Sequence, residues 1–104
     1  MKTSIKNFPE HVNQEVEIQG WMFNKRSSGK ILFLELRDGS GEVQAIVSEK
    51  ESPEAFKIGQ SLNFEASVLV KGKVSQHPKF PDKFELQAND IVIYQNPVDE
   101  YPIG

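Results

Sequence analysis

Two alternating apolar runs, ILFLELR and EVQAIV, flank the turn signal DGSG between residues 31 and 47. Successive side chains of a strand point to opposite faces, so Leu32, Leu34 and Leu36 mark a core-facing side. EVQAIV repeats the pattern and puts Gln44 on its outer side. A turn of this composition between two such runs predicts two paired strands. Phe33 is the exception, because the pattern places this aromatic ring on the solvent side.

Three further runs alternate as strands do. In VEIQGWMF, Gly20 interrupts the apolar face and predicts a bend or bulge. In LNFEASVLVKGKV, Leu62 and Phe64 begin the core-facing side, and Gly72 predicts a kink. The three runs span residues 16–23, 62–74 and 84–94, the last with a break near Asn89 and Asp90.

The segments between the strands read as one helix and several turns. SPEAFKIG predicts a short helix over 52–59, with Ser52 as the N-cap, Pro53 at the first helical position and Gly59 at the end. NKRSSGK (24–30) predicts a hairpin loop. Residues 1–14 predict a short helix or turn that leads into the first strand, and Pro9 limits its length.

Five strands with one short helix between the third and the fourth predict an all-β chain folded as an OB-fold barrel. An SH3-like barrel of five strands is the alternative, and the helix favours the OB-fold. OB-folds bind oligonucleotides on the face of strands 2 and 3. Phe33 is predicted to lie on that face.

Composition limits what else the chain does. Its 104 residues suit one domain, and the absence of cysteine excludes disulfides and thiolate metal sites. No apolar stretch reaches the roughly 20 residues of a membrane span. Neither histidine has metal-ligand spacing around it, and no nucleotide-binding or nucleophile motif is present, so catalysis by these residues is not expected.

The net charge of −3 argues against strong non-specific binding of nucleic acid. The basic residues nevertheless cluster, and a local basic patch is compatible with an acidic chain. Simple solvation of these side chains is the alternative. The clusters are Lys25, Arg26 and Lys30 in one region and Lys71, Lys73, His77, Lys79 and Lys83 in the other.

A nucleobase site is predicted where three strands or their ends meet. Phe33 would stack on a base, Gln44 would offer a donor and an acceptor to its edge, and Arg26 would offer a planar fork. The alternative is structural: Phe33 packs against Trp21 or Phe23, and the two polar side chains are merely solvated.

The stretch VEIQGWMFNKRSSGKILFLELRDGSGEVQAIV, followed by VKGKV, FELQA and EYPIG, resembles the N-terminal anticodon-binding domain of asparaginyl-tRNA synthetases. These belong to the class II subgroup shared with the aspartyl and lysyl enzymes. The resemblance covers about Val16 to Gly104 and implies a five-stranded OB barrel. It further implies that Phe33 stacks on the middle anticodon base, a uridine, and that Gln44 and Arg26 read that base.

The resemblance implies further contacts with RNA. The third anticodon base is read from the loop after VKGKV, where His77 stands at about the position of an arginine in the aspartyl relatives. Lys73, Lys79 and Glu85 are additional candidates. Lys25 and Lys30 are expected to contact phosphates.

The resemblance also implies a longer parent chain. That parent would be a cytoplasmic homodimer that joins asparagine to its tRNA with ATP and Mg²⁺, through a catalytic domain that these residues do not include. Residues 1–96 would form the anticodon-binding domain, which is expected to be a monomer in isolation without enzymatic activity or a cofactor. Residues 97–104 would begin the hinge. Generic single-strand binding, or protein interaction through an OB module, is the alternative function.

Overall fold

The computed structural model describes residues 2–80 and 82–97 as one barrel with a short helix at its end. The elements in chain order are a 3₁₀-helix (Ile5–Glu10), β1 (Glu15–Ser28), β2 (Ile31–Arg37), β3 (Glu42–Ser48), α1 (Pro53–Ser61), β4 (Ala66–Gln76) and β5 (Phe84–Gln95).

The five strands form a closed barrel in the order β1-β2-β3-β5-β4. Neighbouring strands are antiparallel except β3 and β5, which run parallel over three residue pairs, 44–46 with 85–87. With α1 between β3 and β4, this is the predicted OB-fold. The short parallel pairing of β3 with β5 closes the barrel. The outer side chains of β3 and β5 therefore lie next to each other on the barrel surface.

The barrel interior is filled by the side chains that the alternation predicted. Leu32, Leu34 and Leu36 are at most 2% exposed, and Val43, Ala45 and Val47 are also buried. The helix α1 closes one end with Ala55 and Phe56. The outer face of β2 and β3 is therefore left to Phe33, Gln44 and their neighbours.

Helix α1 continues beyond Gly59, where the sequence predicted its end. Gly59 is buried against β2, and a Cβ added there would lie 2.5 Å from Leu32 Cδ2. The glycine thus serves close packing inside the helix rather than its termination. Leu62 follows as the C-cap residue, and its backbone N–H donates to the Gly59 carbonyl.

Strand β4 begins later than predicted, at Ala66. Leu62 is buried, but Phe64 lies in the preceding turn and is 57% exposed, so the prediction that both share the core face is wrong for Phe64. The predicted break near Asn89 is confirmed, and Gly72 lies opposite it. Lys71 pairs with Asp90 while Gly72 pairs with Ala88, which leaves Asn89 as an extra residue in β5.

Strand β1 is longer than predicted, because Asn24–Ser28 belong to the strand and not to a loop. Ser28 pairs with Ile31, so the hairpin turn consists of Gly29 and Lys30, with Gly29 at φ 61°. The only register shift between β1 and β2 lies between Met22 and Asn24. The sequence predicted a bend or bulge at Gly20, but this register shift lies elsewhere. At Gly20 the backbone of Arg37 comes close instead, and a Cβ there would meet the Arg37 carbonyl oxygen at 2.4 Å.

The segment that was predicted to lead into the first strand contains the 3₁₀-helix. A hydrogen bond from this helix to Asp38 connects it to the β2–β3 turn. The Asp38 carboxylate accepts hydrogen bonds from the Ile5 N–H (2.9 Å) and from the Ser40 N–H and hydroxyl (2.8 and 2.6 Å). Partial burial acts to raise the pKa of Asp38, but these hydrogen bonds outweigh it and hold the pKa below its ordinary 3.8.

Most of the predicted hinge, residues 98–104, lies outside the described residues. Within the described part of the chain, no helix is long and apolar enough to cross a membrane.

Candidate nucleic-acid interface

Strand pairing sorts the outer side chains of the barrel into two adjacent rows. Each row contains one residue from each of the five strands. On every strand, the residue of the second row is two positions away from the residue of the first row. The first contains Arg26, Phe33, Ile46, Gln87 and Lys73, and the second contains Asn24, Glu35, Gln44, Glu85 and Ser75. Lys73 lies three strands from Phe33 along this row. We call these ten residues the recognition face.

Phe33 is half-buried on this face, and Arg26 covers its ring. The guanidinium carbon lies 4.2 Å from the ring centroid, a cation–π arrangement. Phe23 has a different partner, since the Arg37 guanidinium carbon lies 5.4 Å from its centroid. The Phe33 ring thus contacts an arginine, a partner that the structural alternative did not include.

Gln44 connects Arg26 to Glu85 through its side-chain amide. Arg26 Nη2 donates to Gln44 Oε1 at 3.4 Å, and Gln44 Nε2 donates to Glu85 Oε2 at 3.1 Å. A guanidinium only donates and a carboxylate only accepts. These two partners therefore fix which end of the amide is oxygen and which is nitrogen. The structure brings Phe33, Gln44 and Arg26 together, as the sequence predicted.

Glu85 is the acidic end of this chain of hydrogen bonds and is only 8% exposed. Among residues 2–80 and 82–97, Glu85 is the one charged residue that is buried. The Nε2 atom of His77 faces the same oxygen, Oε2, at 3.9 Å. A carboxylate held in this way gives the recognition face a fixed acceptor next to Gln44.

His77 is turned into its own loop. Its Nδ1 accepts hydrogen bonds from the backbone N–H groups of Lys79 (3.0 Å) and Phe80 (3.3 Å). An Nδ1 that accepts carries no proton, so the neutral ring bears its hydrogen on Nε2, toward Glu85. The geometry favours a role for His77 in shaping the β4–β5 loop over direct reading of a base.

The other basic candidates are spread around this face. The Lys25 ammonium donates to the carbonyls of Gln60 (2.7 Å) and Leu62 (2.6 Å) at the end of α1, away from the Phe33 ring. Lys30 is exposed in the β1–β2 turn, Lys79 in the β4–β5 loop, and Lys73 at the far end of the first row.

A groove of about 510 Å³ borders the second row and was not predicted from the sequence. The 3₁₀-helix forms one wall, and the β4–β5 loop with Phe80 and Lys83 forms the other. Phe80 is 51% exposed. The aromatic ring between lysines in HPKFPDK was the sequence signal for it, but the spacing alone did not show that the loop brings Phe80 to this groove.

The described residues contain no group of three or more histidine, aspartate or glutamate side chains placed to hold a metal ion. The interface consists of aromatic, amide and charged side chains. Such a surface can stack on a base and bind its edge.

Comparison with known proteins agrees with the observed fold. The sequence profile of the tRNA anticodon family, described as an OB-fold nucleic acid binding domain, matches residues 16–94. The chain belongs to this family. The match runs from the start of β1 almost to the end of β5 and includes the whole recognition face.

The tRNA anticodon domain is similar to part of several asparagine–tRNA ligases. It is 44% identical to the enzyme of Desulforamulus reducens over 102 residues, and 44% identical to that of Thermus thermophilus over 105 residues. These alignments cover 98% and 100% of the chain but only 24% of each relative. The chain thus spans about a quarter of the length of these relatives.

Solved structures repeat the fold of the tRNA anticodon domain. The asparaginyl-tRNA synthetase of Pyrococcus horikoshii, complexed with asparaginyl-adenylate, matches with a TM-score of 0.83 and 31% identity, over 100% of this chain and 24% of that one. An OBody bound to hen egg-white lysozyme, AM3L15, matches with a TM-score of 0.80 and 24% identity, over 98% and 95% of the two chains. At that identity the likeness concerns the fold alone.

Proposed function

We propose that this chain is the anticodon-binding domain of an asparagine–tRNA ligase and that its recognition face reads the middle uridine of the anticodon. The observation that carries the proposal is the connected set Phe33, Arg26, Gln44 and Glu85, a ring with a fixed edge-reading amide beside it. Similarity to asparagine–tRNA ligases over the whole chain supports asparagine as the amino acid of the full-length enzyme.

The stacking step exchanges one partner of Phe33 for another. A uridine that stacks on the ring takes the place of the Arg26 guanidinium, which lies 4.2 Å from the centroid. Arg26 then turns to the base carbonyl or the adjoining phosphate, for which its planar fork is suited. Stacking of one base on an aromatic side chain contributes about 1–3 kcal/mol.

Selectivity comes from the fixed order of atoms in the Gln44 amide. Uridine presents an N3–H donor beside the O4 acceptor, which match Oε1 and Nε2 in that order. Cytidine presents an acceptor at N3 and a donor at N4, so the amide would have to rotate. Rotation would turn Oε1 toward the Glu85 carboxylate, in place of the 3.1 Å hydrogen bond, and two acceptors repel.

The remaining basic side chains act on the backbone of the RNA. Lys73 lies on the face and Lys30 and Lys79 lie outside it, and all three are exposed, so that phosphates can reach them. In the full-length ligase, asparagine, ATP and Mg²⁺ act in the other three quarters of the chain. We place that enzyme in the cytoplasm as a homodimer, and this domain within it as the part that selects the tRNA.

The test is a titration of the chain with an asparagine-anticodon stem-loop and with the same stem-loop carrying cytidine at the middle position. Tighter binding of the uridine form is expected, and Phe33→Leu should weaken it. Phe64→Leu is the matched control, since Phe64 lies in the α1–β4 turn outside the recognition face. Equal affinity for the two RNAs would favour generic single-strand binding. Failure to bind either RNA would favour protein interaction.

A further inference from the structure

The arrangement of a cation over an exposed aromatic ring occurs a second time beside the recognition face. Lys83 Nζ lies 5.5 Å from the centroid of Phe80, as the Arg26 guanidinium carbon lies 4.2 Å from that of Phe33. Phe80 is 51% exposed although it sits in a folded loop. A half-exposed ring with a displaceable cation can accept a base, and the cation is then available to a phosphate.

Phe80 also lines the groove of about 510 Å³. That volume lies in the range of ligand sites, which is about 300–1,000 Å³. Gln44 and Glu85 belong both to the recognition face and to the wall of this groove, so a nucleotide in the groove lies next to the base on Phe33. Lys6 and Lys83 stand on opposite walls, where each can contact a phosphate. The groove is also lined by four carboxylates, those of Glu35, Glu42, Asp82 and Glu85.

We propose that Phe80 is a second stacking platform, which holds a nucleobase adjacent to the one on Phe33, and that His77 positions it. This proposal rests on the proposed function, because it extends the same RNA site. Two platforms on either side of Gln44 and Glu85 would hold successive bases splayed apart, the form in which proteins read single-stranded RNA loops.

The positioning role of His77 follows from its hydrogen bonds. Its Nδ1 receives the N–H groups of Lys79 and Phe80, and its backbone N–H donates to the Lys83 carbonyl at 2.9 Å. The imidazole ring lies 5.1 Å from the Phe80 ring, centroid to centroid. His77 thus fixes both the backbone that carries Phe80 and one side of its ring.

The test for the platform is the substitution Phe80→Leu, measured with the asparagine-anticodon stem-loop. We expect affinity to fall about 5- to 150-fold, the range for loss of one stacked base. Phe64→Leu is the matched control, since Phe64 is 57% exposed and lies outside the groove. Thermal unfolding of both variants checks that the barrel is intact.

Stem-loops with a single abasic position separate the two platforms. The loss from Phe80→Leu should persist when the middle base is removed and should vanish when the first or the third base is removed. The loss from Phe33→Leu should vanish only with the middle base. If Phe33→Leu weakens binding and Phe80→Leu does not, or if Phe80→Leu loses the same amount with every abasic RNA, the second platform is overturned alone. If neither substitution matters, the proposed function fails as well.

The test for His77 compares Asn with Ala. The oxygen of Asn reproduces the position of Nδ1 and accepts from backbone N–H groups two and three residues on. We expect His77→Asn to keep wild-type affinity and His77→Ala to lose affinity as Phe80→Leu does. Equal loss in both variants would overturn positioning by these hydrogen bonds and would indicate that the imidazole ring itself is needed, against Phe80 or against the RNA. No loss in either would overturn it too.

Discussion

Gln44 and Glu85 are joined by a 3.1 Å hydrogen bond at the one place where β3 and β5 pair in parallel. The contact that closes the barrel therefore also positions the base-reading amide. Gln44 and Glu85 are 41 residues apart in sequence, so this part of the site depends on complete folding of the barrel.

Replacement of Gln44 by Ala is expected to relax the preference for uridine at the middle position. The variant loses the ordered donor and acceptor but keeps Phe33, so stacking on the ring continues. Affinities of uridine and cytidine stem-loops, measured side by side, should converge in Gln44→Ala. Loss of the same factor for both RNAs would contradict an edge-reading role.

Replacement of Phe33 by Ala is expected to weaken binding of the stem-loop by about 1–3 kcal/mol, because the base loses its stacking partner. Calorimetric titration provides the measurement, with Phe64→Ala as the control. An unchanged affinity in Phe33→Ala would remove this ring from the site.

Lys25 and Lys30 belong to the same basic cluster, but substituting them should change different properties of the protein. Lys25 donates to the carbonyls of Gln60 and Leu62, so Lys25→Met should lower the free energy of unfolding by about 1–3 kcal/mol. Lys30→Met should leave stability unchanged and reduce the slope of log K against log salt by about 0.7–1. Urea unfolding and salt-dependent titration separate the two effects. A reduced slope of log K against log salt in Lys25→Met would support the phosphate contact that the sequence predicted for Lys25.

Acid should selectively weaken the anchor of the 3₁₀-helix. The pKa of Asp38 is lowered in the folded protein, so its ionised form favours folding above the unfolded-state pKa of about 3.9. That contribution is lost as pH falls through the folded-state value, which lies below 3.8. Urea unfolding of wild type and Asp38→Asn should therefore differ at pH 7 and converge as pH falls below 4. A constant difference would exclude this carboxylate as the cause.

Two glycines at close contacts should tolerate alanine differently. A Cβ at Gly20 would meet the backbone oxygen of Arg37 at 2.4 Å, and this backbone is held in the sheet. The three atoms nearest to a Cβ at Gly59 all belong to side chains, Leu32 at 2.5 Å and Ile91 and Leu34 at 3.6 Å, and alanine favours the helix by up to about 1 kcal/mol. Thermal unfolding should show a larger loss for Gly20→Ala, of about 1–3 kcal/mol. Equal losses would contradict this explanation.

The alternation predicted β2 and β3 well because each has one face against the core. It missed Asn24–Ser28, since this part of the hairpin has no buried face and its side chains leave no period. Phe64 followed the period by coincidence, because Leu62 is buried as a helix cap and not as a strand residue.

The candidate site was only partly accessible to sequence reasoning. Phe33, Gln44 and Arg26 come from strands that are consecutive in the chain, so their meeting followed from the predicted order. Glu85 and Phe80 reach the site through the parallel closure and a folded loop. Neither contact has a local sequence pattern. The resemblance named Glu85 as a candidate but not its hydrogen bond to Gln44, and Phe80 was not among the candidates.

The arginine that covers Phe33 also affects how the free protein behaves in solution. A bare aromatic ring on a sheet would present apolar surface to other copies of the chain, and such surface promotes self-association. With Arg26 stacked on it, one side of the ring is covered by a charged, hydrated group. While Arg26 covers it, Phe33 thus presents less apolar surface to other molecules than a bare ring would.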